Sequence, residues 1–175
     1  MLAPLRVVTI LTGELVVLRP LDAADGATLR AILATPEVAP WWDPDEDPEW
    51  PFEQDRHSPR FAVRERGSDD VIGMVQYWEE TDPQYRHAGV DIILDPRRHS
   101  RGLGSDAVRT VVRHLLEDIG HHRVTIDPAA ANAAAIRCYE KVGFRRVGVL
   151  RRHERSPDGD WRDGLLMDLL AEDLT

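Results

Sequence analysis

A chain of 175 residues with 42% hydrophobic content can bury a core of one domain's size, and a single domain over residues 1–175 is expected. No apolar run approaches the roughly 20 residues that span a bilayer, and the start, MLAPLRVVTILTGELVVLRP, lacks a cleavable signal pattern, so a soluble cytoplasmic protein with no membrane partner is expected. The net charge of −9 argues against nucleic acid as a partner, and the single cysteine, Cys138, excludes an intramolecular disulfide and a cysteine-based zinc site.

In chain order, a strand is predicted from Leu15 to Leu18, then a helix that opens at Asp22 and runs to Pro36. The Pro-rich stretch EVAPWWDPDEDPEWPFEQD, Glu37 to Asp55, carries eight carboxylates and no basic side chain and reads as loop or broken helix. Strands from Phe61 to Arg64 and Val71 to Trp78, joined by the turn residues Gly67, Ser68, Asp69 and Asp70, lead to a strand from Ala88 to Leu94, an antiparallel meander. Ala107, Val108, Val111, Val112 and Leu115 recur at helical spacing and predict a helix from Gly104 to Asp118. A short strand from Val124 to Asp127 precedes a helix from Asn132 to Val142, stopped by Gly143. Strands from Phe144 to Leu150 and Leu165 to Leu170 close the chain, with the turn PDGD between them.

The segment RRHSRGLGSDAVRTVV, residues 97 to 112, sets Gly102 and Gly104 between arginines and a helix start. Backbone N–H groups and the helix dipole at such a junction suit a pyrophosphate, and Arg97, Arg98 and Arg101 would add charge-assisted contacts. It is neither a Walker loop, because the Lys-Ser/Thr pair of that pattern does not follow Gly104, nor a dinucleotide fingerprint, because it follows an antiparallel meander and does not open a βαβ unit. Taken alone, the pair of glycines is equally a tight strand-to-helix turn. On its own, the acidic stretch reads as a solvated loop; its field would suit a cation, and Trp41 and Trp42 within it weaken the loop reading. His121 and His122 point apart as neighbours and read as solvated surface, so no metal is expected. Asp91 alternates with Val90 and Ile92 in its strand, an unusual place for a carboxylate.

The order of strand, HSRGLGSDAV helix and VTIDPAAANAAAIRCYEKVGF resembles the GCN5-related N-acetyltransferase (GNAT) family, whose members bind acetyl-CoA at an R/Q-x-x-G-x-G/A loop. The resemblance runs from GELVVLRPLDAAD onward, and its strongest part is an Asn before a helix carrying A-x-x-x-Y-x-x-x-G-F. His99 departs from the usual Arg or Gln at the first loop position. Within the family the pieces VAPWWD, WEETDPQYRHAGVDIIL and TIDPAAANAAAIRCYEKVGF are similar to the aminoglycoside 6′-N-acetyltransferases.

The resemblance implies an α/β (α+β) GNAT-like domain with a mixed, mostly antiparallel central sheet, splayed at the acetyl-CoA site and flanked by helices. It implies acetyl-CoA as co-substrate, held by Ile92, Ile93, Leu94, His99, Ser100, Arg101, Gly102, Leu103, Gly104, Ser105 and Asn132. Asp91 would accept the amine's proton and Tyr139 would protonate the departing thiolate. Trp41, Trp42, Glu79, Glu80, Asp91 and Asp127 would bind a cationic amine, an aminoglycoside whose modification confers resistance. Alternatives are a protein N-terminus, a siderophore or polyamine amine, or a non-catalytic CoA-binding sensor. The chain would act as a monomer or homodimer.

Overall fold

The computed structural model describes residues 9–42 and 58–175. Among these residues eight strands form one sheet: β1 (Leu11–Thr12), β2 (Val16–Pro20), β3 (Arg60–Glu65), β4 (Val71–Glu80), β5 (His87–Leu94), β6 (Arg123–Ile126), β7 (Arg145–Arg155) and β8 (Trp161–Leu170). Their spatial order is β1-β2-β3-β4-β5-β6-β8-β7. Neighbours are antiparallel except β5 and β6, which run parallel. The expected mixed, mostly antiparallel sheet is therefore what the chain forms.

Alternation along the strands sorts two apolar clusters onto the two faces. Val63, Val75, Tyr77, Val90 and Val124 join helices α2 (Leu103–Arg113) and α3 (Ala133–Glu140) through Val108, Val111, Ile136 and Tyr139. On the other face, Met74 and Ile93 meet Leu29, Ile32 and Leu33 of α1 (Gly26–Leu33). An eight-residue helix is too short to persist alone, so this apolar stripe holds it, at about 1.5–3 kcal/mol per buried side chain.

Parallel β5 and β6 pair at only two rungs, Ala88 with Val124 and Gly89 with Thr125. From Val90 to Leu94 the β6-facing edge of β5 has no strand partner among the described residues. This splay is the feature of the fold that positions the site.

Several elements differ from expectation. The first helix opens as a 3-10 turn, Ala23–Asp25, in which Asp22 and Asp25 form a reciprocal capping box. Asp25 is 2% exposed and is held by Arg64 at 2.9 Å. The helix expected to reach Asp118 is α-helical to Arg113 and continues as a wider π turn over His114–Asp118. The closing hairpin is longer than its apolar cores, reaching Arg155 on one strand and beginning at Trp161 on the other.

Candidate active site

β5 ends at Leu94, and Asp95 caps the following 3-10 turn, Pro96–Arg98, by accepting from the Arg97 N–H at 3.0 Å. Arg97 also reaches Asp95 through its guanidinium at 2.7 Å, which holds the Asp95 carboxyl below the usual carboxylate range. Arg98 pairs with Glu65 at 2.8 Å, and Arg101 pairs with the same Glu65. The arginines expected to reach a phosphate are therefore engaged with carboxylates and brace the loop.

The loop itself turns through two left-handed residues, Ser100 at φ 61° and Gly102 at φ 80°. Gly102 is the N-cap of α2, a position where a side chain would be strained. Gly104 has an ordinary backbone, and a Cβ there would touch only Cys138 Sγ at 3.5 Å and Leu94 Cδ2 at 3.6 Å. Its hydrogen therefore preserves space rather than conformation. The first-turn N–H groups of α2 lack intrahelical partners and carry the positive end of the helix dipole.

These parts border a cleft of about 600 Å³. β5 contributes Ile92, Ile93 and Leu94; the loop and α2 contribute His99, Ser100, Gly102, Gly104 and Ser105; α3 contributes Tyr139. Asn132 caps α3, its side chain accepting from the Ala135 N–H at 3.1 Å, and also borders the cleft, as do Trp41 and Trp42. Arg101 and Leu103 are not at its wall; Leu103 is 3% exposed in the core. Sequence reasoning missed Arg109, Arg137 and Lys141, which bring positive charge to the same cleft. A cleft along an unpaired strand edge, ending at free helix N–H groups and cations, fits a long thioester with a phosphorylated end.

Asp91 lies on β5 opposite Gln76 of β4, and Gln76 Nε2 donates to its carboxylate at 3.1 Å. Burial pushes the Asp91 carboxyl up to about 6, with Asp127 and Glu154 adding to the rise and the Gln76 hydrogen bond opposing it. A carboxylate so tuned is ionised at neutral pH and basic enough to take a proton. Tyr139 is 7% exposed and packs edge-on against Phe144 with ring centroids 6.2 Å apart. Its phenol is pushed above its ordinary range, first by burial and then by the Cys138, Asp91 and Asp127 charges, so it stays protonated and can donate.

Asp127, just beyond β6, contacts His153 Nε2 at 2.5 Å. Glu154, absent from the sequence reading, accepts from Arg162 Nε at 2.8 Å, and the Arg162 guanidinium lies 5.6 Å from the Trp41 ring centroid. Trp78 is 39% exposed, and its ring covers Gly89 on the strand face that carries Asp91. Three carboxylates and two indoles thus gather around one end of the splay.

Glu79 and Glu80 are not brought to this place. Alternation puts Glu79 on the opposite face from Asp91, 2.7 Å from the His121 ring. Glu80 accepts from the Asp82 N–H at 2.9 Å. His121 is 3% exposed, which corrects its reading as solvated surface; His122 is exposed. The acidic residues from Asp43 to Asp55 lie outside the described residues. Among the described residues no group of three or more His, Cys, Asp or Glu side chains could hold a metal ion, and no helix is long and apolar enough to cross a membrane.

Residues 16–145 match the acetyltransferase (GNAT) domain. Over 168 residues the chain is 31% identical to an aminoglycoside N(6′)-acetyltransferase type 1 of Klebsiella pneumoniae, covering 85% of this chain and 81% of that one. The solved structure of AAC(6′)-Ib in complex with ribostamycin and coenzyme A superposes with a TM-score of 0.71 at 26% identity, covering 91% of this chain and 96% of that one. Mycobacterium smegmatis RimJ, solved with CoA-disulfide, gives a TM-score of 0.78 at 24% identity over 95% of this chain and 88% of its own, a likeness of fold.

Proposed function

The chain belongs to the GNAT family of acetyltransferases, and from that premise we propose that it transfers the acetyl group of acetyl-CoA to a primary amine of an aminoglycoside, at the 6′ position. The observation that carries the reading is Asp91, a half-buried carboxylate at the splay that accepts from Gln76 Nε2 and whose proton affinity is pushed up to about 6, with Asp127 and Glu154 near enough to add to the rise. Such a group both attracts a polycationic amine and removes a proton from it. Trp41 and Trp78 offer the flat apolar surfaces on which sugar faces stack.

The residues divide the work as follows. The first turn of α2 and the Ser100–Gly102 turn hold the phosphates. The N–H groups of Ile92 and Leu94, on the edge of β5 that faces away from β4, line the thioester and oppose negative charge on its carbonyl oxygen. Asp91 takes a proton from the substrate ammonium, leaving a nitrogen lone pair that attacks the thioester carbon. The C–N bond forms and the C–S bond breaks. Tyr139 gives its phenolic proton to the sulfur, and the second proton lost by the nitrogen restores the phenol. The amide and free CoA are the products, and an acetylated drug would no longer bear that cation, which would confer resistance.

Thiol release from acetyl-CoA, measured across kanamycin A, spermidine and an alanine-terminated peptide, tests the substrate class. Kanamycin A is expected to exceed the others in kcat/KM by at least about tenfold. Preference for the peptide or for spermidine would overturn the aminoglycoside assignment while leaving the transferase intact.

A further inference from the structure

On the sheet face that carries Asp91, three side chains form one rung across three strands. Arg60 of β3 is opposite Gln76 of β4, and Gln76 is opposite Asp91 of β5. The side chains are joined in the same order: Arg60 Nε donates to Gln76 Oε1 at 3.0 Å, and Gln76 Nε2 donates to Asp91 Oδ2 at 3.1 Å. We propose that Gln76, oriented by Arg60, is a positioning residue for acetyl transfer, holding the Asp91 carboxylate ionised while keeping the guanidinium one side chain away from it. The inference rests on the reading of Asp91 as the proton acceptor.

The chemistry of the three groups fixes the direction of the chain. A guanidinium only donates, so the amide oxygen must face Arg60 and the amide NH2 must face Asp91. Turned over, the amide would present its oxygen to the carboxylate and favour the protonated acid. The other groups around Asp91 push it that way already. Asp127 after β6 and Glu154 on β7 raise its proton affinity, and burial does so more strongly. His153 contacts Asp127, Arg162 contacts Glu154, and the neutral phenol of Tyr139 reaches the same region from α3.

An arginine placed directly on Asp91 would err in the opposite sense. Contact with a full positive charge lowers a carboxyl by about 1 to 3 pH units, leaving too weak a base for an ammonium. The interposed amide supplies the hydrogen bond without most of the charge. Gln76 therefore tunes Asp91 between an acid that stays protonated and an ion pair that does not accept protons.

The test follows the Asp91 carboxyl by 13C NMR, with its resonance assigned by its loss in Asp91→Asn, alongside the pH profile of kcat with kanamycin A. In the wild type both midpoints are expected near 6. Gln76→Leu should move both upward by about one pH unit, which lowers kcat at pH 6 by about fivefold and restores it to within about twofold at pH 9. KM for acetyl-CoA should not change. Arg60→Met should produce a smaller move in the same direction, and the double variant should match Gln76→Leu, because the two residues act as one chain. Gln76→Met carries the same expectation should Gln76→Leu fail to fold. An unmoved NMR midpoint in the Gln76 variant, or a kcat loss of equal factor at every pH, would overturn the proposal. An acid limb that persists in Asp91→Asn would instead overturn Asp91 as base, while the NMR midpoints still decide the role of Gln76.

Discussion

Asp91→Asn removes a carboxyl whose proton is held more tightly in the folded chain, about 6, than at its ordinary value of 3.8. Between those two pH values folding takes up a proton, so stability falls as pH rises through the window, and the full penalty persists at neutral pH. The interval corresponds to at most about 3 kcal/mol. Asparagine keeps the shape and an oxygen for the Gln76 NH2, so a net gain of about 1–2 kcal/mol at pH 7.5 is expected, a Tm rise of roughly 2–8 °C for a chain of this size. The same variant should lose about 10²- to 10⁴-fold in kcat at pH 7, recovering partly as alkaline solution supplies free amine. Thermal unfolding followed by circular dichroism at pH 7.5 and pH 4.5, beside a thiol-release assay, reads both effects. The stability advantage should shrink sharply at pH 4.5, where the folded wild type is protonated at this site. A variant no more stable than wild type at pH 7.5, or equally advantaged at both pH values, would refute the reasoning.

Tyr139→Phe should lower kcat by about 10- to 100-fold, with a defect that persists at high pH because a donor and not a base is lost; a thioester with a better thiol leaving group should restore much of the rate. Gly104→Val should abolish acetyl-CoA binding in calorimetry while changing Tm by only a few degrees, since its Cβ meets only Cys138 and Leu94 at van der Waals distance and its methyls enter the cleft. Glu79→Gln should destabilise the chain by about 1–2 kcal/mol in urea unfolding, through the weakened bond to buried His121, and leave KM for kanamycin A within about twofold.

What the sequence disclosed depended on how strongly each segment was patterned. The meander was legible because Val71 to Trp78 and Ala88 to Leu94 carry apolar runs between polar turns. The helix after Gly104 was legible because Val108, Val111 and Val112 keep one apolar face. β7 beyond Leu150 was not legible: Arg151, Arg152 and His153 are all exposed, so burial imposes no alternation there. Glu154 was missed with it, although it stands among the carboxylates acting on Asp91.

The loop motif located Gly102 and Gly104 and could not show that Arg98 and Arg101 are taken by Glu65, a partner over 30 residues away. Burial of His121 likewise depends on Glu79 arriving from another strand. The face of the sheet that Glu79 occupies follows from register: it is three positions from Gln76, so it points away from Asp91. Counting along β4 from a known partner of Asp91 would have revealed it, but the partner itself appears only when the strands pair.

The central claim, that the splay holds a thioester against an amine selected by Asp91, Asp127 and Glu154, is tested most directly by the site of acetylation. Kanamycin A incubated with the protein and acetyl-CoA should yield one product whose NMR spectrum places the acetyl group on the 6′-nitrogen, formed in step with thiol release. Thiol release without an acetylated amine, or acetylation spread over several nitrogens, would contradict it.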